Sequence, residues 1–230
     1  MRTRPARRAF DTVDSPEFGR GLSFTDAIYG FAITLLVINP DVPRPADWTD
    51  LAALADSGLP TQLIGFTLSF VVIATFWRLN FRLVRTMSGM TSAVLTANLV
   101  CTFFIVLIPF TTQGVSDPAT ADLGLPTALY AANVACIAIS QRVMFVIAQR
   151  QGLTGPVPTW PQIARQVAAS ATVPLVFLVS IPIAVTYGAD PARYLWLTLV
   201  VLGPVVVWLV RPAPTRHVRP STPDRPEVTD

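Results

Sequence analysis

Six long apolar runs limit what this chain can fold into. They cover residues 22–38, 59–77, 90–110, 123–143, 163–187 and 194–210. A transmembrane α-helix needs about 17–25 largely apolar residues to cross the hydrocarbon core, and every run meets that need. The rest of the composition agrees. Of 230 residues, 52% are hydrophobic and only 13% charged, and the mean hydropathy is +0.52. A soluble domain carries about 25% charged residues, and a chain of this size cannot hide so much apolar surface in one core. These figures argue against a soluble enzyme, a disordered regulator and a nucleic-acid binder. The expected fold class is an all-α integral membrane protein with six transmembrane helices per subunit.

Charge placement gives the expected orientation. With the N-terminus inside and the chain alternating, Arg2, Arg4, Arg7, Arg8, Arg20, Arg78, Arg82, Arg85, Arg142, Arg150, Arg165, Arg211, Arg216, Arg219 and Arg225 all fall on the inner side. Only Arg44 and Arg193 fall outside, beside Asp41, Asp47, Asp50, Asp56, Asp117, Asp122 and Asp190. Basic loops stay cytoplasmic as a rule, so both termini are expected in the cytoplasm. Residues 1–18 read as a polar cytoplasmic tail, 19–210 as the membrane domain, and 211–230, with five prolines, as a flexible Pro/Arg-rich tail. The Arg7-Arg8 pair is separated from the first apolar run by Asp11, Asp14 and Glu17, so a cleaved leader is not expected. Trp48, Trp77, Trp160, Tyr187, Tyr194 and Trp208 sit near span ends, where aromatic belts form.

Few residues could carry chemistry. Cys101 and Cys136 both lie in apolar runs and read as small buried hydrophobes, and the lone His217 lies in the tail. No Gly-x-Ser-x-Gly, His-Glu-x-x-His or P-loop is present, so no enzymatic activity and no cofactor are expected. Asp26 is the one carboxylate at or near span depth. Two readings of it are open: a functional intramembrane charge, or a helix-start residue in a capping box with Ser23 as N-cap. Phe31, Leu35 and Ile38 recur at helical spacing with Thr34 beside them. By itself that stripe fits a lipid or packing face. Gln62, Thr67, Ser69, Thr75, Asn98, Thr102, Asn133, Ser140 and Gln141 read as interhelical hydrogen-bonding groups. Arg78, Arg82 and Arg85 read as snorkelling contacts to anionic lipid.

The first spans carry a more specific pattern. Arg20-Gly-Leu-Ser-Phe-Thr-Asp26, running into Ala27-Ile-Tyr-Gly-Phe-Ala-Ile-Thr-Leu-Leu-Val-Ile38, resembles the signature of the transmembrane protein 175 potassium channels, an Arg-x-x-x-Phe-Ser-Asp start followed by an apolar helix. Trp77-Arg-Leu-Asn80 is similar to that family's Trp-x-x-His stretch, and Asn98-Leu99 with Leu107-Ile-Pro-Phe110 extends the likeness across residues 20–112. Length, span count and orientation match the bacterial six-helix branch.

The resemblance implies a homotetramer in the bacterial inner membrane whose four first helices line a pore permeable to K⁺ and other monovalent cations. It implies an apolar constriction at Phe31, Leu35 and Ile38, a hydroxyl layer at Thr34, and a network of Arg20, Phe24, Thr25, Asp26, Trp77, Asn80 and Asn98 that holds the pore helix. No metal is implied beyond the permeating cation. Thr25 stands where the family has Ser, Asn80 where it has His, and Phe31 where it has Ile. Two other functions fit an apolar six-span chain: a cation- or proton-coupled secondary transporter using Asp26, and a non-transporting membrane scaffold.

Overall fold

The computed structural model describes residues 15–154 and 160–210, with backbone alone at 160–170 and 200–210. Both polar tails, apart from residues 15–18, and the side chains of Trp160, Arg165 and Trp208 lie outside the described residues. The chain forms α1 (Pro16–Leu35), α2 (Leu51–Asp56), α3 (Leu59–Val84), α4 (Ser92–Val106), α5 (Ile108–Ser116), α6 (Gly124–Arg150), α7 (Trp160–Tyr187) and α8 (Ala189–Val210). Two 3₁₀ turns, Leu36–Ile38 and Pro45–Trp48, lie between α1 and α2. Among the described residues, four segments are long and apolar enough to cross a membrane, Pro16–Ile38, Leu59–Val84, Ser92–Ser116 and Gly124–Arg150, and Ala171–Tyr187 forms a shorter apolar helix. The protein is all-helical and of multi-pass membrane type.

The start of α1 differs from the capping-box reading. Ser15 is the N-cap, its Oγ accepting from Phe18 N at 3.2 Å, with Pro16 in the first turn. Proline is favoured there because its missing N–H would have no helical partner anyway. Ser23 and Asp26 therefore lie well inside the helix and cap nothing. The third run is also interrupted. The ring of Pro109 clashes with helical continuation from the preceding turn, so α4 ends at Val106 and α5 restarts at Ile108. Hydroxyls take up the carbonyls at the break: Thr111 Oγ1 donates to Leu107 O and Ile108 O, both at 3.1 Å, and Thr112 Oγ1 to Ile108 O at 2.7 Å.

The helices alternate in direction, so the loops gather at two ends. At the end where α1 begins, Phe18, Val84, Met87, Met90, Val94, Met144 and Leu153 form one apolar cluster. A single bridge, Met87 to Thr154, ties the α3–α4 turn to the end of α6. Midway, Tyr29, Ala32, Leu36, Ile73, Cys101, Ile105, Tyr130, Val134 and Trp196 form the main core. At the far end α6 passes so close to α7 that a Cβ on Gly124 would stand 2.0 Å from Ala184 O. Only glycine permits that approach.

The two ends carry opposite charge. The described arginines at the first end are Arg20, Arg78, Arg82, Arg85, Arg142 and Arg150. The far end carries the seven aspartates named above. Its two arginines are engaged: Arg44 pairs with Asp47 at 3.2 Å, and Arg193 pairs with Asp190 at 3.7 Å while donating to Val115 O and Ala121 O. Arg44 holds the Asp47 carboxyl below its usual range, chiefly through their side-chain hydrogen bond.

Candidate functional site

Helix α1 has one packed and one free side. Phe18, Thr25, Tyr29 and Ala32 are buried along it, and Leu36 continues that line. They pack toward α3 and α4. Arg20, Ser23, Phe24, Ala27, Gly30, Phe31, Thr34, Leu35 and Ile38 are exposed and recur at intervals of 3 and 4 residues from end to end. Phe31 and Ile38 are 70% and 72% exposed and Leu35 42%, whereas Ala32 and Leu36 are 1% and 0% exposed. Ile38 lies in the 3₁₀ turn rather than the regular helix, yet remains on the exposed line. Thr34 Oγ1 donates to Phe31 O at 2.9 Å. That bond leaves its lone pairs free to face outward.

The free side is not uniformly greasy. It mixes Ser23, Ala27, Gly30 and Thr34 with Phe31, Leu35 and Ile38. The exposed residues of α3 include Leu63, Ile64, Leu68, Phe70 and Val71, which suit acyl chains. Small and hydroxylated residues on a membrane helix suit close helix approach or water instead.

Behind this face lies a buried polar network across four helices. Asn98 Nδ2 (α4) donates to Thr25 Oγ1 (α1) at 2.9 Å, and Thr25 Oγ1 donates to Gly21 O at 3.1 Å. Asn80 Nδ2 (α3) donates to Asn98 Oδ1 at 2.8 Å and to Tyr29 Oη at 3.4 Å. Gln141 Nε2 (α6) donates to Tyr29 Oη at 3.4 Å and to Phe76 O at 2.9 Å. At membrane depth an unpartnered polar group is costly, so this network fixes how α1 sits against α3, α4 and α6. Asn80 Oδ1 is buried and has no partner.

Asp26 stands outside that network. It accepts from Trp77 Nε1 at 2.9 Å and forms no ion pair with a described residue. Arg20 and Phe24 lie on the exposed side of α1, away from Thr25, Asn80 and Asn98. The structure thus joins three of the seven expected network residues, pairs two more separately, and leaves two on the free face. It also adds Tyr29, unmarked in the sequence reading, and gives Gln141 a specific place. The signal for Tyr29 was a lone phenol one turn beyond Thr25 on the same helix side.

The far end of α1 is anchored. Asn39 Nδ2 donates to Pro109 O at 2.7 Å. Gln62 and Asp41 bond reciprocally: Asp41 N donates to Gln62 Oε1 at 2.9 Å and Gln62 Nε2 to Asp41 Oδ2 at 3.1 Å. The exit of α1 is therefore tied to α5 and to the start of α3, beside the aspartate-rich loops. Taken together, the site is a helix held from behind and at its exit, with one face free along its whole length.

Comparison with known proteins adds the following. Residues 20–109 match the family described as endosomal/lysosomal potassium channel TMEM175. A protein of Chryseobacterium sp. (strain P1-3) described as a potassium channel is 25% identical over 126 residues, 55% of this chain and 62% of that protein's length. The chain thus spans about three-fifths of that relative. A crystal structure described as a lysosomal potassium-selective channel TMEM175 homolog from Chamaesiphon minutus superposes with a TM-score of 0.60 at 21% identity, covering 84% of this chain and 96% of that one. That likeness shows a shared fold.

Proposed function

From the match of residues 20–109 to the TMEM175 family we propose that this chain is a member of that family and a potassium-permeable channel whose constriction is apolar. In this reading four copies assemble around α1, the 19–210 domain spans the bilayer six times with α7 and α8 as its last two spans, and residues 1–18 and 211–230 are cytoplasmic tails in a bacterial inner membrane. The observation that carries the reading is the continuous free face of α1, from Arg20 to Ile38, on a helix otherwise locked into its own subunit. A face left open over about five helical turns, with hydroxyl and small residues among its apolar ones, calls for water or another α1 rather than acyl chains.

Around a four-fold axis, Phe31, Leu35 and Ile38 would stack as apolar rings, with Thr34 as a hydroxyl layer. Water in a narrow apolar neck is unstable, so such a ring gates by dewetting. A cation must shed part of its hydration to pass. K⁺ does so at lower cost than Na⁺, and with no carbonyl cage to repay the loss the preference is modest. Thr25, Asn80 and Asn98, with Asp26 and Trp77, hold the helix that carries the rings. The aspartates at the exit of α1 raise the local cation concentration. Their two arginine neighbours are already engaged.

Ion-replacement recording on purified protein in bilayers tests this. Leu35→Ala and Phe31→Ala are expected to raise current and weaken K⁺/Na⁺ discrimination, and Leu35→Asn to do so more strongly. In a background lacking Cys101 and Cys136, cysteines at 31, 35 and 38 should react with a water-soluble thiol reagent while those at 32 and 36 stay protected. The opposite pattern would place the pore elsewhere, and coupled, saturating flux in place of unitary steps would favour a transporter. Externally accessible C-terminal tags would break the six-span topology.

A further inference from the structure

The arginines at the end of α3 have no part in the conduction path just described. Arg78, Arg82 and Arg85 are exposed and stand 4 and 3 residues apart, so they share one helix face. Toward the far end that same face continues as Thr75, Val71, Leu68 and Ile64, all exposed. An apolar stripe running into a basic one marks a helix side that meets acyl chains and then headgroups. From Arg78 to Arg85 the helix rises about 10 Å, enough to traverse the headgroup layer of one leaflet, roughly 5–8 Å deep. Among the described residues no carboxylate pairs with these three arginines. The described carboxylates at this end are Glu17 and Asp26, and the ion pairs among the described residues involve only Arg44 and Arg193.

A chain of contacts leads from this face to α1. The Arg85 guanidinium lies over the Phe81 ring, 5.4 Å from its centroid. Phe81 stacks on Trp77 with centroids 5.8 Å apart and planes at 27°. The Trp77 indole donates to Asp26 of α1. Headgroup depth and the helix with the free face are therefore joined by one cation–π contact, one ring stack and one hydrogen bond.

The geometry points to a docking face for the phosphate headgroup of an anionic phospholipid, formed by Arg78, Arg82 and Arg85, whose occupancy sets the position of α1 through Phe81, Trp77 and Asp26. Guanidinium groups bind phosphate oxygens in pairs, with directional bonds that an ammonium does not supply. A bound headgroup fixes Arg85 over Phe81, and the stack transmits that restraint to the indole whose N–H holds Asp26. The effect on conduction rests on the channel reading above, whereas the docking does not.

The test uses the full chain in phosphatidylcholine vesicles containing increasing fractions of phosphatidylglycerol. One readout is the motionally restricted fraction of spin-labelled phosphatidylglycerol relative to labelled phosphatidylcholine; the other is K⁺ efflux. The wild type is expected to retain phosphatidylglycerol selectively and to change its efflux severalfold as that lipid is added. R82Q should lose part of the selectivity and R78Q/R82Q/R85Q nearly all, since each arginine near an anionic surface is worth roughly fivefold. F81L should keep the selectivity and lose the efflux response. Equal retention of both lipids by the wild type, or unchanged selectivity in the triple variant, overturns the docking face. So does displacement of the labelled lipid by soluble glycerol phosphate, which would make the face a free-phosphate site. Wild-type efflux indifferent to phosphatidylglycerol overturns the link to α1. Selective retention without any K⁺ efflux refutes the channel reading and leaves the docking face standing.

Discussion

Leu35 and Leu36 are neighbours in sequence with opposite surroundings, and truncating each in turn asks which side of the first helix is packed. Leu36 has no exposed surface and sits in the main core with Tyr29, Ala32 and Ile73. In a soluble protein a buried Leu→Ala change costs about 2.7–5.0 kcal/mol, the sum of a transfer and a cavity contribution. At membrane depth the alternative surroundings are lipid, as apolar as leucine itself. The transfer part, roughly 2.4 kcal/mol for three carbons, then drops out. The cavity part remains, about 0.3–2.6 kcal/mol by difference. Leu36→Ala is expected to cost about 1–2 kcal/mol, a factor of roughly 5–30 in the folded-to-unfolded ratio. Leu35→Ala leaves no enclosed cavity, so its stability should stay within about 0.5 kcal/mol of wild type, while under the channel reading its K⁺ flux rises. Unfolding by sodium dodecyl sulfate in mixed micelles, followed by tryptophan fluorescence, gives the stabilities, and vesicle efflux gives the flux. A Leu35→Ala protein less stable than Leu36→Ala, or a flux gain confined to Leu36→Ala, would refute the assignment of faces.

Asn98→Leu removes both the donor to Thr25 and the acceptor for Asn80; interhelical bonds of this kind are worth about 0.6–1.7 kcal/mol each, and the same unfolding assay should register a loss of that order. Asp26→Ala deletes the acceptor of the Trp77 indole, so Trp77 emission should shift and assembly or conductance should fall, whereas Asp26→Asn, which keeps an acceptor oxygen, should preserve both; altered ion preference with normal conductance would instead put Asp26 in the ion path. The Asp47 carboxyl, held below its usual range by Arg44, has a folded-state pKa lower than its unfolded one, so the Arg44–Asp47 pair is complete at neutral pH and is lost as pH falls through the lowered value; the Asp47 carboxyl resonance should titrate below a model aspartate in wild type and return to it in Arg44→Gln.

The membrane class, the apolar runs and the opposite charge of the two ends were legible in the residues alone. Each is a local property. A run either is or is not apolar enough to cross hydrocarbon, and an arginine lies within a loop or outside it. The stretch from Arg20 to Ile38 likewise carried its family resemblance in consecutive residues. The pairing of Asn98 with Asn80 and Thr25, the place of Tyr29 at the meeting of α1, α3 and α6, and the bond from Trp77 to Asp26 needed the tertiary structure. So did the helix start at Ser15, which turned Ser23 and Asp26 from cap residues into mid-helix ones. The reason is physical. In water a helix announces its packed side by being apolar there, but in a bilayer the packed and lipid-facing sides are equally apolar. Leu35 and Leu36 are therefore identical letters with no sequence signal to separate them. Only the helices around α1 decide that one is enclosed and the other is free.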